Sequence, residues 1–555
     1  MPVIIALKRW VIAKRASTQT TPAIHFQQNL RGHIFRISLS LISAALLVLS
    51  FPDYNLWYLA WVAFVPLLGA LAITPSVRQG IMLGLLFGIS FFYGACYWIT
   101  YPMIHYGGFT PLLAYSLVII PTAVIGLFVA LFAGTLVRLL QQFGIWAMLA
   151  APLLWAATEY LRFHITNMGW NSLGYSQSFQ PTIIWPARFG GVYLVSALIL
   201  LVNALVALGI LRLVRQRSYR ALIGSLAAAT AICLAIMLLA SHTPVGEPGG
   251  EKLAVLAVQG NAPVGDHSVK VEQESLARQL RLTRENIPST KPSLVVWPEA
   301  PFYFPYDTNE DLRREFGEFA RRHQIYLLIN ASTGEKEEDF YNSIVVIGPT
   351  GERVGQYDKI QLLPFGEYVP LRNYLPFGSY LTALVGDFRA GNRYSLLQVE
   401  GYKLGAFICF ESVFPEISRE MARAGAMAYI NIADDAWLGP TPVARQHLAH
   451  VIMRAVETGR PILRVTNTGI SAYIAADGQV QDETPLFESA ITHWQIVKGA
   501  PTVLTFYTRC GDLFAQTSLA ITIMLLMASW ARLRVRLQGV LKRGKNYARG
   551  TETEV

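Results

Sequence analysis

Three short motifs in the 555-residue chain supply a nucleophile, a base and a cation: Trp297-Pro298-Glu299, a stretch DKIQLLPFGEYVP that holds Lys359 and Glu367, and Ile408-Cys409-Phe410-Glu411. A cysteine attacks an acyl carbon as its thiolate, so it needs a base, and the oxyanion that forms needs a donor. Glutamate suits the first role and lysine the second. Taken singly, each residue has an ordinary explanation. A cysteine ending an apolar strand is most often a small core residue, and an isolated Glu or Lys usually sits on a solvated face. Sixty residues separate Glu299 from Lys359 and fifty separate Lys359 from Cys409. Each stands in an unusual local motif at or just past a β-type run, where α/β sheets build their sites. Together they point to covalent acyl chemistry on Cys409.

The elements that must position them follow from patterning. β-type runs occur at 253–259, 294–298, 325–331, 343–348, 404–409, 427–433 and 462–467, with polar, helix-patterned stretches at 269–286, 308–323, 415–424 and 443–458. They predict an α/β domain over 241–500 with a large mixed sheet covered by helices, entered through the Pro- and Gly-rich linker SHTPVGEPGGEK (241–252).

Outside that domain the chemistry changes. Residues 241–500 hold 31 of the 36 acidic and 24 of the 46 basic residues, whereas 34–240 hold 2 acids and 9 bases. Residues 241–500 thus net −7, and the apolar part and its tails carry the +17 that makes the total +10, which argues against nucleic acid as a partner and for a membrane. Apolar windows near 34–52, 55–73, 81–101, 109–137, 144–163, 189–211, 221–240 and 514–531 predict eight spans, seven before the α/β domain and one after. Residues 1–33 read as a basic cytoplasmic arm, 501–533 as the segment of the last span and 534–555 as a basic cytoplasmic tail. The short loops after the second, fourth and sixth spans carry Arg78, Arg138 and Arg212 to Arg220, which predicts that 241–500 faces outward, with Arg162 and Arg188 as contrary charges.

With these motifs in place the chain resembles the apolipoprotein N-acyltransferases, membrane members of the nitrilase superfamily. Trp297-Pro298-Glu299 matches that family's general-base motif, Lys359 its lysine motif and Cys409-Phe410-Glu411 its nucleophile motif; NIADDAWLG (431–439), the stretch 446–471 and WNSLGYSQ (170–177) also match. The resemblance implies an αββα sandwich outside a bacterial inner membrane. It implies acyl transfer from a membrane phospholipid to the N-terminal amine of diacylglyceryl-modified apolipoproteins, with no cofactor. Glu299 would be the proton acceptor, Lys359 with the Phe410 N–H the oxyanion donors, Cys409 the nucleophile, and Glu367 and Glu411 supports. Two departures stand out: APVGDHSVKVEQ (262–273) lacks a tryptophan common there, and Phe410 replaces a frequent tyrosine. The rival reading is a membrane-tethered nitrilase-type amidase, for which a single anchor would suffice.

Other candidates read as structural. Cys96, Cys233, Cys409 and Cys510 show no metal spacing. His447 and His450 are expected to pack or hydrogen-bond rather than bind metal, Asp434-Asp435 to form a polar turn at a strand end, and Glu159 with Arg162 to pair or to meet a headgroup. The apolar residues of 371–385, including Leu375, Phe377 and Leu384, suggest a lid on the lipid surface.

Overall fold

The computed structural model describes residues 22–52, 54–241, 251–265, 268–299, 305–336, 339–370, 387–497 and 503–551. In chain order the strands are β1 (Lys252–Gln259), β2 (Leu294–Val296), β3 (Tyr326–Thr333), β4 (Tyr341–Ile347), β5 (Arg353–Asp358), β6 (Leu397–Val399), β7 (Tyr402–Ile408), β8 (Ala428–Ala433), β9 (Ile462–Thr466), β10 (Ala472–Ile474), β11 (Val480–Gln481) and β12 (Ala490–Val497). They form two six-stranded sheets, ordered β12-β1-β2-β3-β4-β5 and β11-β10-β9-β8-β7-β6. β1, β2 and β3 run parallel, as do β7, β8 and β9, and the outer pairs are antiparallel. The single large sheet expected from patterning is thus two sheets. Strand patterning shows which faces are buried, but not which strand pairs with which.

Alternation within the first sheet explains the layering. Val255, Ala257, Val296, Leu328, Ile344 and Val346 share one core with Leu404, Ala406, Ile408, Ile430 and Ile432 of the second sheet. The intervening Leu256, Val258, Val295, Leu327, Ile329 and Val345 pack instead with Leu280, Ile287, Phe316 and Phe319, which belong to the helices Val269–Thr290 and Glu310–His323. Both faces are buried, so the strands read as apolar runs. Helices Pro415–Arg423 and Val443–Thr458 lie on the second sheet, which completes a helix–sheet–sheet–helix stack.

The rest of the described chain is helical. Six helices are long and apolar enough to cross a membrane: Leu30–Ser50, Val77–His105, Pro111–Phe143, Ala187–Gln216, Tyr219–Ser241 and Leu513–Val535. Leu112, Ile120, Ile223, Leu238 and Met527 remain exposed on them, the outward apolar surface that hydrocarbon would cover. Val77–Cys96 and Ile119–Phe143 approach most closely through glycine. A Cβ on Gly88 would stand 2.7 Å from the Gly126 Cα, so no side chain fits there. Two expected windows are shorter. Trp57–Ala72 spans 16 residues and breaks at Phe64, just ahead of Pro66. Window 144–163 is a 3₁₀ turn, Ile145–Ala150, followed by the 16-residue helix Ala151–Thr166. Sixteen residues extend about 24 Å at 1.5 Å each, less than a hydrocarbon core of about 30 Å.

The two parts of the molecule meet along Val443–Thr458. Ala187–Gln216 kinks at Gly190-Gly191, where Gly191 takes φ 63°. The kink frees the Val192 N–H, which donates to Glu457 Oε1 at 3.0 Å. Arg454 donates to the same oxygen at 2.8 Å and to the Tyr175 hydroxyl at 3.2 Å. Arg188, a contrary charge in the topology argument, donates to the Ala476 carbonyl at 3.2 Å, and so serves the contact between the parts.

Candidate active site

Each motif folds so as to deliver its side chain between the sheets. β2 ends at Val296, and Trp297 turns its indole outward to donate to Thr283 Oγ1 at 3.0 Å and to pack edge-on against Phe316. Pro298 has no N–H to extend the ladder, and the next side chain, Glu299, is buried in the cleft. β5 ends at Asp358, after which the Lys359 N–H donates to the Asn342 carbonyl at 2.9 Å. β7 ends at Ile408, and Cys409 follows at φ 52°, a conformation that costs a residue with a Cβ about 1–3 kcal/mol.

Glu411 holds this turn. One of its oxygens accepts from the Ile408 N–H at 2.7 Å; the other accepts from the Tyr357 hydroxyl at 2.8 Å and from the N–H groups of Ile360 and Gln361 at 2.6 and 3.1 Å. A single carboxyl group therefore ties the end of β7 to the segment that follows β5, fixing nucleophile and lysine together. Burial raises its pKa to about 7, against the opposing effect of these donors.

The charges gather around Lys359. Its Nζ lies 3.2 Å from Glu299 Oε1 and 2.9 Å from Glu367 Oε1, with all three side chains buried. Asn342, at the start of β4, donates to the same two oxygens at 3.1 and 2.6 Å. Glu299 Oε2 accepts from the Asp434 N–H at 3.2 Å, and Glu367 Oε2 from the Leu363 N–H at 2.8 Å. Burial pushes the Cys409 thiol well above its ordinary range; the Glu299 carboxylate beside it adds to this, and Lys359 opposes it. The resting sulfur thus keeps its proton next to a carboxylate placed to take it. Such a site can form a thioester and, once a second nucleophile enters, release it.

The sequence reading did not single out Asn342. Its only signal is one amide, next to Ser343, at the head of a strand that is apolar from Ile344 onward. The Asp434-Asp435 turn has two distinct environments. Asp434 accepts from the Ala436 N–H at 2.9 Å and from Asn467 at 3.0 Å, and burial pushes its carboxyl well above the usual range. Burial also acts upward on Asp435, but Arg464 and His447 outweigh it and hold that carboxyl below the usual range. His447 is hydrogen-bonded, and His450 packs 3.9 Å from the Tyr175 ring, where burial lowers its pKa well below the ordinary value. Among the described residues no group of three or more His, Cys, Asp or Glu side chains is arranged to hold a metal.

The stretch 170–177 serves the junction. Gln446 Oε1 accepts from the indoles of Trp98 and Trp170 at 3.1 and 2.9 Å and from Asn171 at 3.3 Å, and its amide donates to the carbonyls of Pro52 and Ala95, both at 3.0 Å. Glu159 and Arg162 support the same loop. Glu159 accepts from Trp155 at 2.8 Å and from the Leu173 N–H at 2.7 Å, and Arg162 donates to the Trp170 carbonyl at 3.1 Å and to Ser172 at 2.7 Å. The suggested lid, 371–385, lies outside the described residues.

Comparison with known proteins agrees with this layout. The family model for the apolipoprotein N-acyltransferase N-terminal domain matches residues 43–205, and that for carbon-nitrogen hydrolase matches 256–498. An apolipoprotein N-acyltransferase of Geobacter metallireducens is 34% identical over 499 residues, covering 87% of this chain and 93% of that one. The chain belongs to the apolipoprotein N-acyltransferase family. Members from Pseudomonas syringae pv. tomato and Nitrosomonas europaea are 32% and 33% identical, covering 90% and 78% of this chain and 97% and 84% of their own lengths. The family's two matched regions correspond to the helical part and to the two-sheet domain described above.

Proposed function

We propose that this protein moves an acyl chain from a membrane phospholipid to the N-terminal α-amino group of the S-diacylglyceryl-cysteine of apolipoproteins, as the last step of their maturation. Glu299 takes the Cys409 proton as sulfur attacks the ester carbonyl, and Lys359 and the Phe410 N–H face the oxyanion. Collapse breaks the ester, Glu299 returns the proton to the departing lysophospholipid oxygen, and a thioester remains. The lipoprotein amine then attacks, loses its proton to Glu299, and the thiol re-forms. No cofactor enters either half.

The observation that carries this reading is the position of the Glu299–Lys359–Cys409 cluster beside a helix that Gln446 fastens to the apolar helices. A hydrolase of small soluble amides would have no use for so large a helical part. In this reading the two shorter helices also cross, the bilayer thinning locally to match them, giving eight spans in a bacterial inner membrane, with the two-sheet domain on the periplasmic side. Mass spectrometry of a diacylated lipopeptide after incubation with protein and phospholipid tests it. An added N-linked acyl group, absent with Cys409→Ala, is expected, and an unmodified amine with the intact protein would overturn the proposal.

A further inference from the structure

His447 Nε2 lies 2.9 Å from the carbonyl oxygen of Cys409. A carbonyl only accepts, so this nitrogen carries the hydrogen. The ring is fixed from behind: Nδ1 is 2.7 Å from Asp435 Oδ1 and 3.1 Å from Arg464, which itself reaches Asp435 Oδ2 at 2.7 Å and Asn431 Oδ1 at 2.6 Å. All four side chains are buried. The helix that carries His447 is held one residue earlier by Gln446 and its five partners in the helical part.

The Cys409 carbonyl and the Phe410 N–H belong to one peptide unit, and in a trans peptide they point in opposite directions. Fixing the oxygen therefore aims the N–H. β7 pairs with its neighbour β8 only as far as Ile408, so the sheet does not set this peptide plane. The left-handed Cys409 adds strain that outside contacts must hold. A hydrogen bond to the carbonyl also polarises the amide and strengthens its N–H as a donor.

We propose that His447 is a positioning residue for the oxyanion, holding the Cys409–Phe410 peptide so that the Phe410 N–H faces the attacked carbonyl. This rests on the acyl-transfer reading only in taking that N–H as an oxyanion donor. Losing a whole oxyanion donor costs about 10²–10³ in rate, so misaimed backbone costs about tenfold to a hundredfold.

The test measures two reactions of Cys409 in the full-length protein: the nitrophenolate burst from a p-nitrophenyl ester, which forms an oxyanion, and alkylation by iodoacetamide, which does not. His447→Leu should slow the burst by about tenfold to a hundredfold and leave alkylation at the wild-type rate. His447→Gln, whose amide can donate from nearly the same place, should recover most of the burst. Should His447→Leu not accumulate, His447→Asn, one methylene too short, replaces it in the comparison. A wild-type burst in the Leu variant, a parallel fall in alkylation, or failure of Gln to rescue would each overturn the proposal. The burst needs neither phospholipid nor lipoprotein. A protein that bursts without acylating lipopeptide would therefore sink the proposed substrates and leave the role of His447 standing.

Discussion

Asn342 Nδ2 lies 2.6 Å from Glu367 Oε1, and the same amide reaches Glu299 at 3.1 Å. Two buried carboxylates thus share one ammonium and one amide. Hydrogen bonds to charged groups contribute about 1.5–3 kcal/mol each. Asn342→Leu should therefore lower stability in detergent by about 3–6 kcal/mol, and adding Glu367→Leu should cost less than the sum of the single changes, because partners in one network are not additive. Additive losses would mean that the carboxylates do not depend on the amide.

The Cys409–Glu299 pair makes a pH prediction with a definite sign. Burial first, and the Glu299 charge second, hold the thiol well above its ordinary range. Glu299→Gln removes the second cause, so the midpoint of iodoacetamide alkylation against pH should move down. At pH 7 the variant then has more thiolate but no base, and acyl-enzyme formation should fall by about 10²–10⁴. An upward shift of the midpoint would place the carboxylate away from the sulfur.

Much of this arrangement could be read from the chain alone. Seven strands and four α-helices among the described residues of the two-sheet domain fall where patterning puts them, because strands buried on both faces leave continuous apolar runs. β5 was missed, although its end delivers Lys359; RVGQYD has few apolar residues and its exposed face hides the pattern. Glu299 and Cys409 lie just past strands that patterning places, and Lys359 just past one that it does not; the partners of all three are non-local. Asn342, the Asp434 N–H and His447 reach the cluster from 43, 135 and 38 residues away in sequence. No spacing rule connects such positions; only the pairing of strands into two facing sheets does.

Gln446 predicts a defect of docking rather than of chemistry. Its amide satisfies two indoles, Asn171 and two carbonyls at a buried junction. Leucine there would leave several buried polar groups unpaired, at about 1–3 kcal/mol each. Gln446→Leu should lower the unfolding midpoint and increase cleavage by added protease between the helical part and the two-sheet domain. Wild-type melting and cleavage would show that the junction does not depend on this side chain.

The proposed orientation is tested by labelling. Arg212, Arg215, Arg217 and Arg220 cluster where the helices Ala187–Gln216 and Tyr219–Ser241 meet, and such clusters stay cytoplasmic. Arg162 and Arg188 do not weigh against this, since both are committed to partners: Arg162 to the 170–172 loop, and Arg188 to Ala476. In a chain whose Cys409 and exposed Cys510 have been replaced, a membrane-impermeant maleimide added to intact cells should miss a cysteine at Ser218 and label one at Ser268. Ser268 opens the helix Val269–Thr290 on the outer layer of the two-sheet domain. The opposite labelling would place Cys409 in the cytoplasm, where a lipoprotein already exported and diacylated could not reach it, and would overturn the substrate assignment along with the topology.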